Sequence, residues 1–189
     1  MAGAAGRHVK ALNRKLGLGG SMNFIASLFP WAGGLFISGV FLDSLRFKFT
    51  GHPTPHHIFS TLKEWSGIGL FYPAGPWIIG LGELLASVLL IGLPAIFLLA
   101  GKKGLVAPSQ FLGALIAIGV MSGAIMFHLF TPLGVETPVE WSGATPTKFS
   151  PALFYAACVS WAFALIILFL HRGAIATLTG VFAKGANGA

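Results

Sequence analysis

The sequence predicts an all-α integral membrane protein: a four-transmembrane-helix bundle with a short interfacial helix in its first outer loop. Three observations carry that expectation. Apolar residues make up 55% of the 189 and charged residues only 9%, whereas a water-facing surface needs about a quarter charged. Mean hydropathy is +0.82. The apolar residues also gather in four runs, 24–43, 77–100, 111–130 and 151–170, separated by polar or Gly/Pro-rich connections. At 1.5 Å rise per residue each run covers roughly 30 Å, the thickness of the hydrocarbon core.

Residues 1–21 form a Gly/Ala-rich basic tail carrying Arg7, Lys10, Arg14 and Lys15. Such a tail is similar to a signal-peptide n-region. The run after it is long and lacks a small-residue cleavage site, so it is read as a retained first span with Pro30 in its first turns. Residues 46–75 are a polar connection. Within it Thr54-Pro55 predicts a helix start, a capping hydroxyl followed by proline at the first helical position. Ile58, Phe59, Leu62 and Trp65 then recur at helical spacing, opposite His56, His57, Lys63 and Glu64, as in an amphipathic helix lying at the interface.

The second span contains Pro94, the expected kink. A tight connection with Lys102 and Lys103 leads into the third span, and a polar Pro/Gly-rich loop over 131–150 into the fourth. His171 and Arg172 close the membrane domain, 22–172, and residues 173–189 read as a flexible tail. Small residues four apart, Gly34/Ser38, Gly82/Ala86, Gly119/Gly123 and Ala156/Ser160/Ala164, predict close helix–helix approach in lipid.

Eight of the twelve lysines and arginines fall in the two tails and the Lys102 loop, and four (Arg46, Lys48, Lys63, Lys148) in the other connections. The positive-inside rule then places both termini in the cytoplasm. The net charge of +7 is explained by these flanking residues. There is no basic patch interleaved with aromatics, so nucleic acid is not an expected partner. Cys158 stands alone in an apolar run and reads as a packing residue. His52, His56 and His57 lack a further ligand set and read as a polar helix face rather than a metal site. No phosphate loop, catalytic triad or haem-attachment pair is present. Nothing supplies a redox centre, so no catalytic residue is assigned and activity by this polypeptide alone is not expected.

The candidate site follows from depth. Glu83 lies inside the second span, where a carboxylate needs a partner, a wet cavity or a task. His128 ends the third span, and Asp43, Arg46 and Lys48 follow the first, so all five converge at one membrane face. Three readings of that cluster stay open. In one, Arg46 pairs with Glu83 to lock the outer loop onto the bundle while His128 bonds a backbone carbonyl. In another, the cluster borders a ligand with a polar head, a quinone or a lipid. In the third it lines a transport path.

Three blocks resemble the DoxX-like family of small bacterial membrane proteins: LDSLRFKFTGHP after the first span, PAGPWIIGLGELLASVLLI opening the second, and MSGAIMFHLFTPLGV closing the third. The resemblance covers about 24–172 and implies a four-helix membrane bundle in the bacterial inner membrane. Lys48, Thr50 and Gly51 match the family's outer-loop motif, Glu83 its second-helix carboxylate and His128 its third-helix histidine. The family includes membrane subunits of oxidoreductase systems, among them thiosulfate:quinone oxidoreductase. The resemblance therefore implies a subunit of a quinone-linked electron-transfer assembly, with other subunits as partners, quinone or lipid as the bound molecule and no covalent cofactor. The alternative is a structural accessory subunit of a respiratory or photosynthetic membrane complex.

Overall fold

The computed structural model describes residues 18–175. The basic residues of the amino-terminal tail, and the carboxy-terminal tail beyond 175, lie outside the described residues. The chain is a multi-pass membrane protein whose four long helices are apolar enough to cross a bilayer. These are α1 (Leu18–Phe49), α3 (Gly75–Leu99), α4 (Val106–Phe130) and α5 (Ala152–Leu170). Helices α1 and α4 sit diagonally, each packed on both α3 and α5. The core between them is thin and made of small or slim side chains: Ile37 and Phe41 of α1, Ala86 and Leu90 of α3, Ala114 and Ala117 of α4, Ala164 and Ile167 of α5. Leu35, Leu81, Leu115 and Phe169 point outward and are well exposed, the surface a bilayer covers.

Helix α1 runs longer than the 24–43 expected. It starts at Leu18, so Pro30 lies inside the helix, and it continues to Phe49. The extension matters most at its end, because it winds Asp43, Arg46 and Lys48 onto helical turns instead of leaving them in a loop. Gly80 permits the last turn to lie against α3: a Cβ there would come within 2.7 Å of the Phe49 ring.

Helix α2 (Pro53–Ser66) starts one residue before Thr54. Its cap is His52, whose Nδ1 accepts the Thr54 N–H, and Pro53 occupies the first turn, where a missing N–H costs nothing. Gly67, with φ of +72°, ends it. Phe59 and Leu62 are buried, whereas Trp65, expected on the same apolar stripe, is 53% exposed. Phe59 docks α2 onto the start of α3 at Gly75, where a Cβ would lie 2.6 Å from its ring.

The kink expected at Pro94 is a π-helical stretch, Val88–Gly92, just before it. The Leu93 N–H reaches back to Val88 O and Pro94 has no N–H, so the carbonyls of Leu89 and Leu90 lose their usual donors. Helix α4 replaces them: Ser109 Oγ donates to Leu89 O at 2.8 Å and Gln110 Nε2 to Leu90 O at 3.2 Å. Gln110 Oε1 in turn accepts from His171 Nε2 at 3.0 Å. Burial pushes the His171 imidazole below its ordinary value.

The close approaches are only partly those expected from small-residue spacing. Gly34 faces Leu90 and Ile91 and Gly82 faces Val120, but a Cβ on Gly119 would meet nothing within 4 Å. At Gly113 it is the backbone of another helix that comes close: a Cβ would stand 2.9 Å from Leu90 N and 3.0 Å from Ala86 O.

Residues 131–150, expected as a polar loop, contain an antiparallel hairpin, β1 (Thr137–Ser142) and β2 (Thr145–Ser150). Pro138 and Pro146 argue against strands, yet both are tolerated because a two-stranded ribbon has only edges. The register shifts between Pro138 and Trp141, and Gly143 turns the chain with φ of +60°, as hairpin turns with glycine first require. Lys148 Nζ donates to Glu140 Oε1 at 2.7 Å across the ribbon, and that bond holds the lysine above its ordinary value.

Candidate functional site

At the hairpin end the four helices border a cavity of about 480 Å³. Its walls come from Val40 and Phe47 of α1, Ile79 of α3, Val120, Ala124 and Phe127 of α4 and Leu153, Ala156 and Ala157 of α5, with Ile58 and Phe59 of α2 and Val139 of β1 closing the end. Gly119 and Gly123 are part of what makes it roomy: a Cβ on Gly119 would meet nothing within 4 Å, and one on Gly123 only the Phe127 ring at 3.9 Å. The hairpin clamps α2 across the mouth. Trp141 Nε1 donates to Thr54 Oγ1 at 2.9 Å, and Thr54 Oγ1 donates to Pro138 O at 2.9 Å.

Into these apolar walls project Asp43, Ser44, Lys48, His52, Thr54, Glu83 and His128. Glu83 sits eight residues into α3, about 12 Å from its start, and is 2% exposed. Its partner is Lys48: Nζ lies 2.7 Å from Oε1 and 2.8 Å from Oε2. Lys48 Nζ also donates to Ser44 Oγ one turn back on α1. This overturns the expected Arg46–Glu83 pair. Arg46 is two residues, or about 200° of helix, from Lys48 and turns outward to Asp43, 2.9 Å away, with both side chains mostly exposed. An exposed pair at that spacing stabilises the helix by only about 0.3–0.5 kcal/mol. Arg46 does not line the cavity; Asp43 stands at its rim.

His128 is 7% exposed. Its Nδ1 lies 2.6 Å from Gly134 O, and its ring meets Phe154 edge-on at 5.8 Å. The structure thus brings Asp43, Lys48, Glu83 and His128 to one cavity and leaves Arg46 out. Sequence reasoning missed Ser44, the open pair Gly119/Gly123, and His52 and Thr54 as lining residues. For Ser44 a signal existed: it precedes Lys48 by four residues, on the face that also buries Ile37 and Phe41. His56 packs against Tyr72 at 4.8 Å and His57 faces Trp141 at 6.1 Å. Burial, then the neighbouring His56, holds His57 below its ordinary value, with Glu64 opposing. No three His, Cys, Asp or Glu among the described residues are grouped as a metal would need.

A half-open apolar chamber with an ion pair and an imidazole along its polar side can hold an amphiphile by its head and bury its apolar body. Comparison of the chain with family models, curated protein sequences and solved structures gave no match.

Proposed function

We propose that the chain is a membrane subunit of a quinone-linked electron-transfer assembly, has no redox centre of its own, and holds a quinone-type or lipid ligand in the hairpin-end cavity. The observation that carries this reading is the meeting of Lys48–Glu83 and His128 in one chamber whose walls are mostly apolar. A chamber of about 480 Å³ suits a six-membered ring and the first part of a tail, within the size range of small-molecule sites. Membership of the DoxX-like family belongs to the same proposal and rests on the three sequence blocks. In this reading the protein sits in the bacterial inner membrane. The cavity opens on the periplasmic side, and Lys102, Lys103 and the basic tail lie in the cytoplasm. The outward apolar faces contact lipid and the helices of partner subunits.

The test is titration of the full chain, purified in mild detergent, with decylubiquinone, read by tryptophan fluorescence. Saturable binding is expected in the native chain and is expected to be lost in Gly119→Leu, which fills the chamber. Redox proteins are expected to co-purify. Absence of binding, with only helix contacts to neighbouring proteins, would instead identify a structural accessory subunit of a respiratory or photosynthetic complex.

A further inference from the structure

We infer that the cavity selects ligands whose head donates a hydrogen bond, such as a quinol, phenol or other hydroxyl, over the matching carbonyl or ether. This rests on the binding role proposed above and deepens it by naming the form of ligand preferred.

The argument is a count of free hydrogen-bonding valences. A carbonyl oxygen only accepts, so His128 Nδ1 must carry the proton it gives to Gly134 O at 2.6 Å. In the neutral ring Nε2 is then a bare lone pair, an acceptor. No protein group bonds Nε2 among the described residues. Nor is it one of the sealed orphan atoms, which are Ser38 Oγ, Thr137 Oγ1 and Ser160 Oγ. It is therefore accessible, on a ring that lines the cavity.

Lys48, the obvious donor for a quinone oxygen, has none left: its three N–H bonds go to Glu83 Oε1, Glu83 Oε2 and Ser44 Oγ. Ser44 Oγ accepts from Lys48 beside the Glu83 carboxylate, and Thr54 spends its hydroxyl proton on Pro138 O. What remains at depth is acceptor capacity: Nε2 of His128 and the second lone pairs of the Glu83 oxygens. Away from the Lys48–Glu83–Ser44 cluster, the lining side chain with a spare donor is His52, through its Nε2–H, since its Nδ1 already accepts from Thr54 N. His52 stands half-exposed where α1 gives way to α2, not beside the buried pair.

A carbonyl head would therefore place lone pair against lone pair and stay unsatisfied, whereas a hydroxyl head would satisfy both partners. No electron or proton transfer is involved; the selection is in binding alone.

The test uses the full chain in mild detergent and two matched ligand pairs: decylubiquinol against decylubiquinone, under anaerobic reducing and oxidising conditions, and 4-nonylphenol against 4-nonylanisole. The second pair removes redox chemistry from the comparison. The hydroxyl member of each pair is expected to bind about tenfold more tightly. His128→Phe is expected to bring the phenol-to-anisole ratio close to one while anisole affinity is kept, a readout that general loss of structure would not give. Equal affinity within both pairs, or tighter binding of quinone and anisole, would overturn this inference and leave the proposed function standing. Failure of all four ligands to bind would overturn both.

Discussion

The two ends of the bundle each bury a polar network, and the two are built for different ends. At the Pro94 end, Ser109 and Gln110 answer carbonyls that α3 itself left bare, His171 holds Gln110 in turn, and Gln110 is 1% exposed. The network there repairs a backbone defect and closes on itself. At the hairpin end, Lys48, Glu83 and His128 line open space, and acceptor valences are left over. Burial alone does not separate the two, since Glu83 is as well buried as Gln110. What separates them is whether the side chains face a partner or a chamber. A satisfied network stabilises; one with spare capacity beside a cavity recognises.

The strongest way to break that comparison is to treat the hairpin-end pair as mere structure. Removing one member leaves a buried charge without its partner, which costs about 3–5 kcal/mol. Glu83→Leu is expected to lower stability by that amount, measured by unfolding in detergent micelles. The double replacement Lys48→Met with Glu83→Leu is expected to recover most of the loss, because an apolar pair of similar volume needs no desolvation. If the double variant is stable yet still binds decylubiquinol with native affinity, the pair is only a lock and the functional contrast between the ends fails.

At the other end the expected effects are smaller and confined to stability. Gln110→Leu strips the donor from Leu90 O and the acceptor from His171, a loss of about 1–3 kcal/mol. Ligand affinity at the hairpin end is expected to be unchanged in the same preparation. The glycines of α4 sharpen the contrast within one helix. Gly113→Ala drives a methyl into Leu90 N and Ala86 O and is expected to cost about 1–3 kcal/mol by overpacking. Gly119→Ala meets open space and is expected to stabilise the helix by up to about 1 kcal/mol. Parallel unfolding curves of the two alanine variants, with opposite signs, would establish that one glycine serves packing and the other leaves room.

What the sequence disclosed follows a physical line. Hydropathy sums over twenty residues, so the four spans were legible, and a carboxylate within an apolar run stood out whatever its neighbours. Glu83 was therefore found, and its burial follows from depth. Its partner was not, because the choice between Arg46 and Lys48 turns on where α1 stops. With the helix ended near residue 43 either cation could swing inward; with the helix carried to Phe49, the 100° per residue rotation commits Lys48 to α3 and Arg46 to solvent. The hairpin was hidden by Pro138 and Pro146, which veto strands in a sheet interior but not in a lone ribbon. The π-helical stretch was invisible beforehand because its support, Ser109 and Gln110, comes from another helix twenty residues on. The cavity was half-visible at best: Gly119 and Gly123 have the spacing of a packing seam, yet the assembled bundle leaves the space beside Gly119 empty.

The smallest expected effect lies at the sealed end and concerns pH. Burial lowers the His171 imidazole below the usual 6.5 in the folded chain, while in the unfolded chain it stays near that value. Between the two values the unfolded chain binds more protons than the folded one, so stability rises with pH across this window. The contribution is fully present above about 6.5 and is lost as pH falls through the folded value. Thermal unfolding of the native chain between pH 8 and pH 5 should show a decline that begins near the ordinary histidine value. The other histidines titrate in the same range, His57 with a lowered value of its own, so the comparison that isolates the effect is His171→Asn, which keeps an N–H for Gln110 Oε1 and cannot gain a charge. Its decline is expected to be shallower than the native one, and a parallel decline would show that burial does not hold His171 below its ordinary value. Ligand affinity at the hairpin end should be the same in the native chain and in His171→Asn at any one pH, since Ser109, Gln110 and His171 do not line the cavity.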